Sequence, residues 1–599
     1  MCGIFGIIAE QEQILGSMLV DGGRRLAYRG YDSVGCATVT GDGSIDLRKG
    51  VGRIEDVSAA LEFPLMRGVR GITQLRWATF GEPSYENAQP HLDSDGDLVG
   101  AHNGNVVNNV QMRELFLRER LTVRGTNDGE TCIHAVERYF DRNGGDMLAA
   151  IRSAYDDLEG DYAFVITHRD DNRLYAIKKG SGLVAGLTDG AACISSDLPS
   201  ILPITRRVLR VYDGEIVVLS PHSVELYDVH SGARLERAEE WYDGPIEVAE
   251  KGGYPHFMLK EIHEQPTVAG ELLHLLDRSP HVERFLKALN APGDRPVFLV
   301  GCGTSYHACL LGAYYFDQIA GKPAVPVLGP QFIEQYGRST GPADTAVFVS
   351  QSGETKDILN ALKVMRRNGG RVLGVLNVLG SSLAHQSDVY LPLACGYEIS
   401  VPATKTFVNQ AVLFLYLAYR LAGRDTAELA QLPDLLASTL EATEGSARRV
   451  AHSLESWKTL HYLGYGLTHP IALEAALKLK EITYSHCEGM FSSEFKHGPL
   501  SAVEPGYPVL FVTAPGDEAM MINHVNEVTT RGGRAIALAA ENPALRANVH
   551  DYLAVPDADR FLSPILLTLP AQLVAYHLSV ARGIDPDFPR NLSKTLTVD

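Results

Sequence analysis

MCGIFGI, residues 1–7, places a cysteine between the initiator Met and a Gly that opens a short apolar run. Met removal is favourable when the next side chain is small, and it would leave Cys2 with a free α-amino group. Such an amine has a pKa of roughly 7.7–8.0 and a thiol one of about 8.5. Cys2 would then carry a nucleophile and a base together, the logic of a Thr–N-terminal amine pair. By itself a Cys at position 2 is usually incidental, so its meaning depends on the rest of the chain.

Length and composition narrow the possibilities. At 599 residues the chain exceeds a single core and should hold three or four domains. A net charge of -19 disfavours nucleic acid and anionic membranes as partners. The eight cysteines are scattered without a CxxC pair, which speaks for a reducing cytosol and against a disulfide framework or a zinc site. The start lacks the pattern of a signal peptide. The most apolar runs, Ala411 to Leu421 and Pro564 to Ala581, are short or broken by Arg420, Gln572 and His577 and read as buried helices. A cytoplasmic protein is expected.

Over residues 1–240, strand-like runs (FGIIA, CATVT, GITQLRWA, LVGAHNG, YAFVITH, RLYAIKK, ACISSD, EIVVLS) alternate with helical stretches, QILGSMLVDGGRRL and DGETCIHAVERYF among them. MCGIFGI, RRLAYRGYDSVG, LRWATFGEPSYENAQPH, AHNGNVVNN and TNDGE together resemble, in order and spacing, the glutaminase domain of class II amidotransferases. These are N-terminal-nucleophile (Ntn) hydrolases, so the resemblance implies an αββα sandwich. It also implies attack by Cys2 on the glutamine carboxamide, with an oxyanion hole at Asn103 and the Gly104 N–H. Donors aimed at a developing oxyanion contribute about 10²–10³ in rate each. Arg76 is expected to hold the substrate α-carboxylate as a fork and Asp128 its α-ammonium, with Arg29 and Trp77 shaping the pocket. Taken singly, each has a plainer reading: Arg76 as a surface ion pair, Asp128 as a helix N-cap, Asn103-Gly104 as a hairpin turn. The chain departs from the family's HTRWATHG at Gln74, Leu75 and Phe80.

Residues 241–284 read as a linker and an entry helix that contains FMLKEIHEQP. Beyond it the chain repeats itself. RPVFLVGCGTSYHACLLGAYY parallels TLHYLGYGLTHPIALEAALKLK. AVFVSQSGETKDILNALKVMRRNGGRVLGV likewise parallels PVLFVTAPGDEAMMINHVNEVTTRGGRAIAL. Gly303, Gly353 and Gly369 recur as Gly466, Gly516 and Gly532, an offset of 163 throughout. Strand–helix alternation predicts two doubly wound parallel-sheet domains, at 285–425 and 450–585. They resemble sugar isomerase (SIS) domains, which bind phosphosugars.

Only the first copy has hydroxyls in both strand-to-helix turns: Thr304 and Ser305, then Ser350, Ser352 and Thr355 around Gln351. An anion is favoured at such helix starts. In the second copy, Glu474, Lys478 and Glu481 fall on one helix face, and the repeat sets Leu311 and Gln318 opposite the two carboxylates. Taken alone, that face reads as a solvated salt-bridge ladder.

These strings, His497 in SSEFKHGPL and the tail 586–599 (DPDFPRNLSKTLTVD, from 585) resemble the glucosamine-6-phosphate synthase family. The resemblance implies ring opening by His497, proton transfer by Glu481 and a Schiff base at Lys594. Glu474 and Lys478 would support the site, and Val401 would join the phosphosugar contacts. Ala403 stands where the family has a serine, which bears on discrimination between sugars. His486-Cys487-Glu488, placed on a helix, would point apart and hold no metal. No metal or cofactor is expected.

The resemblance thus implies amination and isomerisation of a ketose 6-phosphate, fructose 6-phosphate foremost, with ammonia passed from glutamine inside a homodimer. Two other readings stay open from sequence: an amidotransferase acting on another ketose phosphate, and a non-catalytic phosphosugar sensor.

Overall fold

Gly3–Ile14 lies inside an eight-stranded antiparallel sheet, between Ala191–Ser195 and Arg67–Arg76. Its register sets Gly3 opposite Leu75, so Cys2 and Arg76 emerge at the same end. In the computed structural model, which describes residues 2–242, 251–291, 293 and 295–594, this strand is longer than the FGIIA run. The QIL segment expected to begin a helix completes the strand as far as Ile14, and the helix is Gly16–Arg25. Met1, residues 243–250 of the joint and residues 595–599 of the tail lie outside the described residues.

A second sheet of seven antiparallel strands packs on the first. Between them Ile4, Ile8 and Ile72 meet Ala101, Val165, Ala176 and Val217, all fully buried. Helices Gly16–Arg25 and Ile54–Ala60 cover the outer face of the first sheet. Asn109–Arg118, Asp128–Phe140 and Met147–Asp157 cover that of the second. The layers therefore run helix, sheet, sheet, helix: the αββα sandwich.

The described residues 2–242 and 251–594 belong to two separate compact units. In the second, helix Phe257–Arg278 opens the fold where FMLKEIHEQP predicted it. Its first amides, Phe257 N and Met258 N, donate to the buried Asp587 carboxylate at 2.9 and 2.8 Å, an acidic cap at the positive end of the helix.

The rest of this unit is built on two five-stranded parallel sheets. Their orders are equivalent: 324–328, 297–301, 345–350, 371–376, 389–392 in one, and 486–491, 459–464, 508–512, 534–540, 551–555 in the other. The repeat is visible in the backbone, since Gly303 and Gly466 sit at φ +54° and +53°, a region that L side chains avoid. One continuous core joins the two copies. Helices Lys405–Leu421 and Ser563–Ala581 run through it, buried on nearly every side. The latter is long and apolar enough to cross a membrane, yet 89% of its most apolar window is buried inside this core.

His486-Cys487-Glu488 lies on strand His486–Phe491 and not on a helix. There Cys487 points inward while His486 and Glu488 are exposed, as the twofold period of a strand dictates.

Candidate active sites

The first unit brings its expected residues to one place. Cys2 is buried and its Sγ donates to Trp77 O at 3.6 Å. Burial pushes the thiol pKa up; the Asp128 carboxylate adds to this and the Arg76 guanidinium opposes it.

Asn103 and Gly104 lie in the strand Leu98–Val106, opposite Ala163 and Tyr162, and form no hairpin turn. Asn103 Nδ2 donates to Ser196 Oγ at 2.6 Å, and Ser196 Oγ accepts from Ile4 N at 2.8 Å. One hydroxyl thus ties the strand of the nucleophile to the strand of the candidate oxyanion donors. Gln89 steadies the latter, accepting from His102 N at 2.7 Å and donating to His102 O at 3.1 Å. Buried Gln74, where the family has His, also donates to His102 O, at 3.3 Å. Gly104 sits at φ +112°, and a Cβ there would lie 2.1 Å from Asp161 O and 2.7 Å from Tyr162 Cα. Gly104→Ala therefore forces backbone apart beside Asn103. Glutamate release should fall about 10²–10³-fold, and the strain of about 1–3 kcal/mol should lower the melting temperature. Wild-type rates in this variant would show that the strand does not position the reaction.

Arg76 is fully buried; its Nη atoms donate to Glu82 O at 3.3 Å, to Gly81 O at 2.6 Å and to Phe80 O. Nε is buried without a partner. The guanidinium is thus wrapped by the 80–82 loop, with Nε left over as a donor. Asp128 is the first residue of its helix, and the cap is Asn127, whose side chain accepts from Gly129 N at 2.9 Å. Asp128 Oδ2 accepts from Val106 N at 3.0 Å, and His102 Nε2 is 3.9 Å away. Burial lowers the His102 pKa, favouring its neutral form. No Lys or Arg pairs with Asp128 among the described residues, a buried carboxylate suited to an incoming ammonium. Arg29 is buried on Asp197 at 3.1 Å.

In the second unit the carboxylate face predicted on HPIALEAALKLKEITY is buried, not solvated. Lys478 Nζ lies 2.7 Å from Glu481 Oε2 and 3.4 Å from Glu474 Oε1. Burial alone would lower the Lys478 pKa, but the two carboxylates outweigh it and raise it; burial raises that of Glu481. The first copy reaches into this cluster: Thr304 Oγ1 and His307 Nδ1 lie 3.0 and 2.8 Å from the Glu474 oxygens. Thr304 is therefore engaged with a carboxylate of the second copy. Ser305 Oγ accepts from Gln410 Nε2 at 3.0 Å.

The other hydroxyl turn closes on itself. Ser350 Oγ is 2.9 Å from Thr355 Oγ1 and accepts from Gly353 N at 3.0 Å, and Ser352 Oγ accepts from Glu354 N at 3.2 Å. Gln351 O accepts from Asn377 N at 3.0 Å. This turn leads directly into helix Lys356–Arg367.

Lys594 Nζ contacts Glu398 Oε2, and both side chains are buried. Glu398 also acts electrostatically on Lys478, and Lys594 on Glu481. Val401 is buried, its N–H on Asp587 O at 2.8 Å, and Ala403 is part-exposed in the same loop.

His497 is not brought to these groups. It ends the turn Ser492–His497 exposed, without a side-chain hydrogen bond or ion pair among the described residues. Ser196, Gln89, His307 and Glu398 escape a reading of the sequence; none sits in a motif that names its partner.

A glutamine amidotransferase domain matches residues 76–202, and SIS domains match 294–420 and 453–582, the class that fold and sites define. The chain is 37% identical over 611 residues to the glutamine–fructose-6-phosphate aminotransferase (isomerizing) of Methanothermobacter thermautotrophicus. It is 38% identical over 615 residues to that of Pyrobaculum aerophilum, with all of each chain covered in both cases. Among solved structures it is similar to the C-terminal domain of glucosamine-fructose-6-phosphate aminotransferase from Francisella tularensis. That likeness has a TM-score of 0.52 and 30% identity, covering 57% of this chain and all of the other. The chain belongs to the glutamine–fructose-6-phosphate aminotransferase (isomerizing) family.

Proposed function

We propose that the protein hydrolyses glutamine at Cys2 and uses the ammonia to aminate and isomerise fructose 6-phosphate to glucosamine 6-phosphate. The observation that carries the reading is the pairing, in one chain, of two buried sites. One holds Cys2, Asn103, Arg76 and an Asp128 that pairs with no Lys or Arg among the described residues. The other holds the Glu474–Lys478–Glu481 cluster, and Lys594 lies buried on Glu398.

In the first, Cys2 attacks the carboxamide, Asn103 and the Gly104 N–H receive the oxyanion, and Arg76 and Asp128 hold the α-carboxylate and α-ammonium; Trp77 and Arg29 shape the pocket. In the second, Lys594 forms an imine with C2 of the open-chain ketose, and ammonia adds there and displaces the lysine. Glu481, whose pKa burial raises, moves the proton between C1 and C2. Ser305, Ser350, Gln351, Ser352 and Thr355 offer donors to the phosphate at a helix start, with Val401 and Thr304 alongside. Division of the chain at 1–240, 285–425 and 450–585, with the Lys594 tail at 586–599, matches these roles.

Ammonia is mostly protonated near neutral pH and would be lost to solvent, which favours its transfer within the protein. His497, exposed as it is, opens the sugar ring only if a homodimer partner or a closing motion covers it. A cytoplasmic location fits these substrates.

Incubation of the purified protein with glutamine and fructose 6-phosphate, read by mass spectrometry, should yield glutamate and a hexosamine phosphate in equal amounts. Glutamate without the amino sugar would leave the amidotransferase and remove fructose 6-phosphate as acceptor, pointing to the loop around Ala403. Neither product would favour a phosphosugar sensor.

A further inference from the structure

Glu398 is among the most constrained carboxylates in the second unit, and no role in the reaction above uses it. Its side chain is fully buried. Oε1 accepts from Thr404 N at 2.8 Å and Thr406 N at 3.1 Å, while Oε2 accepts from Thr406 Oγ1 at 2.8 Å and faces Lys594 Nζ. Two backbone amides and the Thr404 and Thr406 hydroxyls fix the carboxylate, so it cannot follow Lys594 if that side chain moves.

The other lysines near it are differently committed. Lys405 Nζ is 2.7 Å from Glu264, and Lys478 lies between Glu474 and Glu481. The neighbouring Glu261 is occupied as well: it accepts from Ser400 N at 3.1 Å and from Ile399 N and the Ser400 hydroxyl, so it braces the same loop from behind. Burial, and next the charge of Glu398, push the Glu261 pKa to about 8. For Glu398 burial acts upward too, but Lys594 and the amides outweigh it and hold the carboxyl below its ordinary range. It is thus ionised and in contact with the nitrogen that must lose a proton before it can attack a carbonyl.

Resting on the imine role proposed for Lys594, we infer that Glu398 is a further catalytic residue, the proton carrier for imine formation and breakdown at that lysine. Glu398 takes one proton from the Lys594 ammonium. The free amine adds to the ketose carbonyl, forming the C–N bond, and one of its protons passes to the carbonyl oxygen, which becomes the carbinolamine hydroxyl. Glu398 returns its proton to that hydroxyl as the C–O bond breaks and water leaves. Lysine ammonium and ketone thus give protonated imine and water, and the Glu398 carboxylate is regenerated facing the iminium charge. For release, ammonia adds to the iminium carbon, one of its protons passes through Glu398 to the lysine nitrogen, and the C–N bond to lysine breaks, leaving neutral Lys594 and the protonated imine of the amino sugar.

Full-length protein is incubated with fructose 6-phosphate and borohydride, and the rate at which each lysine gains the reduced sugar is followed by peptide mass spectrometry. Wild type should label at Lys594. Glu398→Gln keeps an acceptor for both amides but carries no proton at this pH, and should label about 10²-fold more slowly. Thr406→Val, which removes one of the groups holding the carboxylate and leaves the carboxylate itself, should label within a few-fold of wild type. Labelling of Glu398→Gln at the wild-type rate overturns the proposal. An equal slowing by Thr406→Val also overturns it, since Glu398 would then only hold the loop. Should Glu398→Gln lose its melting transition, Glu398→Asp serves instead: drawn back by one methylene, it should slow labelling more than tenfold, and no change would overturn the proposal. Wild-type label on Lys405 or Lys478, or none, removes the Lys594 reading itself and this inference with it, a result distinct from the others.

Discussion

Cys2→Ala is expected to lose glutamate release by about 10⁴–10⁶-fold, the scale set by removal of a nucleophile from a preorganised site. The expectation comes from position. Cys2 lies at the end of the strand whose next residues are locked by Ser196 to Asn103 and by register to Leu75, beside Arg76. The thiol is buried, and its pKa is raised by burial and by Asp128, so it is a poor thiolate as it stands. An α-ammonium on Asp128 would neutralise one charge that disfavours the thiolate, and a free α-amine on Cys2 would supply the base. Truncation to Ala removes one sulfur from a tight site and should leave the melting temperature almost unchanged. A folded Cys2→Ala protein that releases glutamate at a tenth of the wild-type rate would exclude Cys2 as the nucleophile.

Lys478→Met should cost the second unit about 3–5 kcal/mol, the penalty for leaving buried carboxylates without their cation. Lys478 has 1% of its side chain exposed and Glu474 1%, with Glu481 at 20%, so water cannot readily replace the ammonium. The loss should depend on pH with a definite sign. Burial already raises the Glu481 pKa above its unfolded value, and removing Lys478 raises it further. A carboxyl with a raised folded pKa binds its proton more tightly when folded. Its contribution to stability is therefore greatest at low pH and is lost as pH rises through the folded value. Thermal melting of Lys478→Met should approach wild type toward pH 5 and fall away toward pH 8. A variant equally stable to wild type at pH 8 would show that the cluster is open to solvent.

Much of the fold is legible in the residues alone. The 163-residue offset foretells two sheets of one order because glycines at positive φ leave no alternative residue at those turns. Glu474, Lys478 and Glu481 can be placed together because helical spacing is fixed, but not whether that face is wet; burial by Ser563–Ala581 and by the first copy decides that. The segment HCE reads as helix from sequence and is strand in the fold because a Tyr484 turn at φ +57° ends the helix before it. Long-range partners stay hidden. Ser196 is 192 residues from Ile4, Glu398 is 196 from Lys594, and His307 is 167 from Glu474. No local period encodes such a pair. The contact of the Thr304 hydroxyl with a carboxylate 170 residues on stays hidden for the same reason.

The cross-copy contact of Thr304 and His307 with Glu474 also bears on how this chain can change over generations. A duplicated module ordinarily keeps a spare, so that damage in one half is masked by the other. Here the two halves have become complementary, each supplying atoms the other lacks, and the spare is gone. A substitution at Thr304 or His307 must be answered at Glu474 and not at the position 163 residues along.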